Sequence, residues 1–72
     1  MPEELEGSEE ETEKRFGVVA IEKGFISTVQ LVEGLETQAE ETEQGLHRVI
    51  GAILVEKGYM DLMQVQEVLE AM

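Results

Sequence analysis

Phe16-Gly-Val-Val-Ala-Ile-Glu-Lys-Gly-Phe-Ile-Ser27 returns, at a constant offset of 34 residues, as Ile50-Gly-Ala-Ile-Leu-Val-Glu-Lys-Gly-Tyr-Met-Asp61. Gly17 falls on Gly51, Glu22-Lys23-Gly24 on Glu56-Lys57-Gly58, and Phe25 on Tyr59. The register holds beyond the turn, with Gln30 on Gln64, Leu31 on Val65, Glu33 on Glu67, and Leu35-Glu36 on Leu69-Glu70. Glycines, turn residues and apolar phase that recur together without a gap mark a structural repeat. Two repeats are expected, residues 9–38 and 45–72, joined by an acidic linker at residues 39–44.

Each repeat is punctuated in the same way. Lys23-Gly24 and Lys57-Gly58 read as helix C-termini: lysine suits the negative end of the dipole, and the glycine beyond it takes the left-handed C′ conformation. Phe25 and Tyr59 stand where a Schellman ending places its apolar contact. Ser27-Thr-Val-Gln30 is a capping box that opens the next helix, and Asp61-Leu-Met-Gln64 is a close variant. Ile26 and Met60, at N′, are placed to staple onto Leu31 and Val65 at N4. The unit is therefore a helix, a tight turn and a helix.

Apolar spacing gives these helices a buried side. Val65, Val68, Leu69 and Met72 follow i, i+3, i+4, i+7 in the last helix. Leu31, Leu35 and Gln38, flanked by Val32 and Ala39, fall on the matching face of its counterpart. Phe16, Val19 and Ala20 face inward from the first helix of one unit, and Ile50, Ile53 and Leu54 from that of the other, with Ile21 and Val55 widening the stripes. Four short helices patterned in this way make a minimal all-α four-helix bundle, a single domain over residues 9–72. Residues 1–8 are acidic, include Pro2 and Gly7, and are expected to form a disordered tail. Ser8 then caps a first helix that starts near Glu9. The second helix should run to about Glu43 and stop before Gly45, and His47 should lie near the start of the third.

Composition narrows the partners. A domain of 72 residues buries only about 60% of the surface its unfolded chain exposes. With no cysteine there is no disulfide to reinforce it, so support from a second subunit or a host protein is expected. The net charge is −12, from 17 Asp and Glu against five Lys and Arg. Binding a phosphate backbone takes clustered cations, whereas Lys14-Arg15, Lys23, Arg48 and Lys57 are scattered. DNA, RNA and anionic membrane surfaces are thereby excluded as partners, while a basic protein remains compatible with the charge. The acid also keeps a small domain in solution. No apolar run approaches the ~20 residues that cross a bilayer, so membrane insertion is not expected. The start, Met1-Pro2-Glu3-Glu4-Leu5-Glu6, is unlike a signal peptide. The cytoplasm is the expected address.

Little in the chain suggests catalysis. General acid–base chemistry needs a positioned group with a tuned pKa, and His47 is the lone imidazole, expected on the surface. Ser8 and Ser27 already serve as caps. No nucleophile elbow, phosphate loop or paired-histidine zinc helix occurs. No enzyme activity, metal or cofactor is expected. Met60, Met63 and Met72 suit gap filling in a small core, the use to which adaptable methionine side chains are often put, although such residues also line promiscuous binding faces.

Arg15-Phe-Gly17, then Gly24, Leu31, Leu35 and Gln38, resembles a motif of the N-terminal domains of type II secretion and type IV pilus assembly ATPases. In the branch known as the MshE N-terminal domain the motif begins Arg-Leu-Gly, carries a glycine and two leucines at these spacings, and ends in glutamine. Residues 15–38 match it with Phe16 in place of leucine. The family uses two motifs in tandem, as a four-helix unit that binds cyclic di-GMP and also docks other machinery proteins. In the second copy Val49 and Met72 occupy the arginine and glutamine positions, and the spacer, Ala39 to Arg48, is longer than the family's. Arg48, one residue early, is expected roughly 100° around the third helix from the motif position. These 72 residues contain no nucleotide-binding motor sequence.

Three readings follow. The first is a small non-enzymatic interaction or adaptor module that binds a protein partner or a second copy of itself. The second, implied by the resemblance, is a cyclic di-GMP sensor. In it Arg15 meets a phosphate or stacks on a guanine, Gly17 and Gly24 admit close backbone approach, Leu31 and Leu35 pack the purine, and Gln38 adds a polar contact. The third is a helical scaffold with neither role, whose motif reflects turn chemistry alone.

Overall fold

The computed structural model describes residues 2–72, with side chains from Thr12 onward. Its helices are α1 (Pro2–Glu22), α2 (Thr28–Glu43), α3 (Ile50–Glu56) and α4 (Leu62–Ala71). This is the all-α bundle expected from the repeat.

Both inner turns close as Schellman endings. Gly24 N–H donates to Ile21 O at 2.9 Å and Phe25 N–H to Ala20 O at 3.0 Å. One repeat later Gly58 N–H donates to Val55 O at 3.0 Å and Tyr59 N–H to Leu54 O at 2.9 Å. The two glycines lie at φ 79° and 82°, where a Cβ crowds the following carbonyl. The next helices start with reciprocal caps. Ser27 Oγ accepts from Gln30 N–H at 3.1 Å while Gln30 Oε1 accepts from Ser27 N–H at 2.9 Å. Asp61 and Gln64 repeat the exchange at 2.8 and 3.0 Å. Ile26 and Met60, just ahead of the caps, are buried. α2 stops at Glu43, as expected, with Gly45 bonding back to Thr42 O.

The turns fold each repeat into a hairpin, but the extensive helix contacts run between repeats: α2 on α3, α1 on α4, and α1 on α3. The second helix of each repeat thus lies on the first helix of the other, and neither hairpin closes a core alone. Phe16, Ala20, Ile26, Ile50, Leu54, Met60 and Val68 form the shared core. Val19, Ile21, Leu31, Leu35, Val55 and Val65 pack around its edge. Gly34 of α2, which corresponds to Val68 of α4, is buried. A Cβ there would lie 2.9 Å from Leu54 Cδ2 and 3.0 Å from Ile50 Cδ1. α2 therefore meets α3 through a missing side chain, whereas α4 brings a valine to the core.

Three expectations are corrected. α1 begins at Pro2 and not near Glu9, so residues 2–8, read as a disordered tail, have helical backbone and Ser8 starts no helix. Proline is accepted at the first helical position. What the Ser8 side chain does lies outside the described residues. α1 is also not short, at 21 residues against seven for α3. Second, α3 begins at Ile50, and residues 46–49 are an irregular connection. His47 precedes the helix, and Arg48 has no angular position on it. Third, Leu69 is 55% and Met72 37% exposed, so only half of the expected α4 face is covered.

Candidate functional site

The six motif residues of the first repeat do not all lie together. Gly17 and Leu31 do meet: a Cβ on Gly17 would fall 2.6 Å from Leu31 Cδ2, so this side chain seals the glycine's surface. Leu35 is half-buried beside the core. Gly24 stands apart, roughly 14 Å along α1 from Arg15 at 1.5 Å per residue, with nothing within 4 Å of its would-be Cβ. Its φ value and the turn hydrogen bonds account for it. Arg15 is exposed next to exposed Lys14.

Gln38 is engaged inside the protein. Its Nε2 donates to Glu13 Oε1 and, at 2.9 Å, to the carbonyl of Arg48. The same Glu13 oxygen accepts from Ile50 N–H at 2.9 Å. Val49, at the N-cap of α3, has no side-chain acceptor to offer, so an α1 carboxylate takes an otherwise orphaned helix donor. The clamp ties α1, α2 and the start of α3 together, and it places a negative charge where the sensor reading needs a contact to an anion. Glu13 was not among the motif residues, and its counterpart in the repeat is His47, so the repeat gave no signal for it.

Arg48 is also occupied. Its Nε and Nη2 donate to the two carboxylate oxygens of Glu41, at 2.9 and 2.6 Å, and Nη2 reaches Glu56 at 2.6 Å. The hydrogen bonds to this guanidinium hold Glu41 below the usual carboxylate range, partly offset by desolvation. They raise Arg48 further above its ordinary value. The fork braces the connection between α2 and α3 from both sides. Tyr59 donates its hydroxyl to Glu33. That bond, followed by burial and the Glu33 charge, raises its pKa.

The second repeat differs at the corresponding place. A cavity of about 280 Å³ opens there, lined by Thr12, Glu13, Phe16, Val49, Gly51, Ala52, Val65 and Leu69. Val49, Gly51, Val65 and Leu69 are the repeat counterparts of Arg15, Gly17, Leu31 and Leu35. Where Leu31 covers Gly17, Gly51 is covered by the ring of Phe16 from the other repeat, 3.1 Å from a would-be Cβ, and the shorter Val65 stands in the cavity wall. At the lip Val49 is 62% and Leu69 55% exposed. In the sequence Val49 and Met72 read as lost polar positions and Val65 as an apolar match to Leu31, which gives no sign of the opening that Val49 and Val65 line.

Met60 fills the core as expected, while Met63 and Met72 face solvent. Among the described residues no His, Cys, Asp or Glu group is arranged to hold a metal, and no helix is long and apolar enough to cross a membrane. Compared with protein-family models, curated proteins and solved structures, the chain matches none of them.

Proposed function

We propose that this protein is a small non-enzymatic interaction module, an adaptor built on the scaffold of the secretion- and pilus-ATPase N-terminal domains. The observation that supports this reading is the open apolar cavity of the second repeat, with large hydrophobic side chains exposed at its lip. In a chain with so little core, leaving Val49 and Leu69 more than half exposed forgoes roughly half of the ~1.5–3 kcal/mol that full burial of such a side chain supplies. A partner that covers them recovers it. Charge supports a protein over a dianionic nucleotide, since the net charge is −12 and the one motif glutamine is bound to a carboxylate.

The sensor reading has one observation in its favour: Arg15 and Lys14 are adjacent, exposed cations on α1. Titration of isotope-labelled protein with cyclic di-GMP separates the two. The interaction module gives no saturable amide shifts at Arg15, Gly17, Gly24 or Gln38 up to millimolar ligand. Saturable shifts there that vanish in Arg15→Ala would replace the module with a sensor.

A further inference from the structure

We infer that the cavity of the second repeat is the docking site for a basic amphipathic helix of another protein, which inserts one or two large apolar side chains against Phe16, Gly51 and Val65. The inference rests on the interaction-module reading and names its site and its partner's chemistry.

Size limits the occupant first. At about 280 Å³ the cavity falls just below the range of drug-sized ligand pockets and suits an anchor side chain or two. Its lining is apolar apart from Thr12 and Glu13, and among the lining residues Glu13 carries the only charge. Glu13 Oε1 is already bonded to Gln38 and Ile50, so an inserted group meets hydrocarbon, with little polar surface to match.

The shape of the surface continues the cavity. Leu62, Val65, Leu69 and Met72 recur at i, i+3, i+7 and i+10, which at 100° per residue keeps them within about 80° of one another on α4. Leu62 is 72% exposed, so the apolar stripe extends from the cavity along the helix. A helix laid in such a groove presents its own i, i+3, i+4, i+7 anchors to it.

Charge selects the partner. The groove lies between α4 and the part of α1 around Thr12 and Glu13. From Pro2 to Glu13 the chain has seven glutamates, from Asp61 to Met72 it has three acids, and neither segment contains a lysine or arginine. Lys14 and Arg15 follow directly on Glu13 and are the only cations adjoining these stretches of α1 and α4, set against ten acids, while Arg48 is neutralised by Glu41 and Glu56. A second copy would bring another −12 charges to the same place. A helix with lysine or arginine on its outer positions is steered toward the groove.

The repeat supplies the variant for the test. Val65→Leu gives the second repeat the residue with which the first seals its own glycine. The full-length protein is isotope-labelled and titrated with a synthetic amphipathic peptide carrying leucine at i, i+3, i+4 and i+7 and lysine elsewhere, and separately with its glutamate counterpart. Saturable shifts at Val49, Gly51, Ala52, Val65 and Leu69 are expected with the lysine peptide alone. Affinity should fall about tenfold or more in Val65→Leu, the loss expected for a blocked anchor. Leu69→Gln, an exposed position that does not disturb the core, should weaken binding several-fold and guards against misfolding of the first variant. Shifts confined to Val18, Val29 and Val32 would keep the module and overturn this site. Equal binding of the glutamate peptide, or concentration-dependent shifts in the groove with no peptide added, would overturn the basic helix in favour of a charge-blind partner or a second copy. Absence of shifts with either peptide would overturn this site and leave the module reading to its own test, the cyclic di-GMP titration.

Discussion

The two repeats share one punctuation and differ in how their second helices are received. In the first, Leu31 lies over Gly17, Gly34 lets α2 settle onto α3, and Gln38 is tied to Glu13 and the Arg48 carbonyl. In the second, Phe16 covers Gly51 while Val65 lines a cavity, Val68 fills the core where Gly34 has no side chain, and Met72 stands 37% exposed in the place of Gln38. One hairpin is closed and internally bonded, the other open and apolar. A tandem repeat preserves the turns that build the scaffold while each copy's packing face is free to take a different role.

The largest effect should come from exchanging the residues that make the two helix contacts unequal. Val68→Gly removes a fully enclosed side chain and adds a glycine to a helix, a loss of about 3–4 kcal/mol. A core this small rarely supplies more than ~3–5 kcal/mol, so this variant should lie close to its unfolding midpoint by circular dichroism at 25 °C. Gly34→Val overpacks Ile50 and Leu54 and should cost about 1–3 kcal/mol. If the repeats were interchangeable, the double variant would recover stability. We expect it to be less stable than either single one, because the two positions face different neighbours.

Next in size are Gly24→Val and Gly58→Val. Both glycines have positive φ and open space around them, so backbone strain of about 1–2 kcal/mol is the main term. Each variant should melt lower by roughly 4–8 °C per kcal/mol, and by the same amount in the two repeats. Unequal melting would show that one turn carries more than its local geometry.

The smallest effect is confined to the second turn, where Tyr59 has a hydroxyl that Phe25 lacks. The folded protein holds the Tyr59 proton more tightly than the unfolded chain does, because the phenol is bonded to Glu33. Its contribution is therefore complete below the ordinary value of 10.0 and is lost as pH rises through the higher folded value. Tyr59→Phe, which makes the second turn a copy of the first, should flatten this alkaline part of the stability profile in urea titrations. An unchanged slope above pH 10 would remove the Glu33 bond from the account.

Much of the fold was legible because its signals are local. The Ser27 and Asp61 caps, the Gly24 and Gly58 turns and the buried Phe16, Ile50 and Leu54 each follow from spacing within a few residues. The start of α3 was not legible, since Leu46 to Val49 are held out of the helix by bonds to Glu41 and Gln38, in another element. The candidate site was legible only as a list. The motif named Gly17, Leu31 and Gln38, but not Glu13, which occupies Gln38, nor the side on which a cavity would open.

By itself, then, the sequence determined the helices, their caps and the pairing into two hairpins, because capping, glycine conformation and apolar period act within a turn or two of chain. Tertiary structure decided which helix lies on which, that α2 and α4 cross to the opposite repeat, and that Leu31 seals Gly17 while Val65 lines an open cavity. Those outcomes depend on volumes meeting across the core, where a difference of one methylene, leucine against valine, separates a filled contact from an open groove.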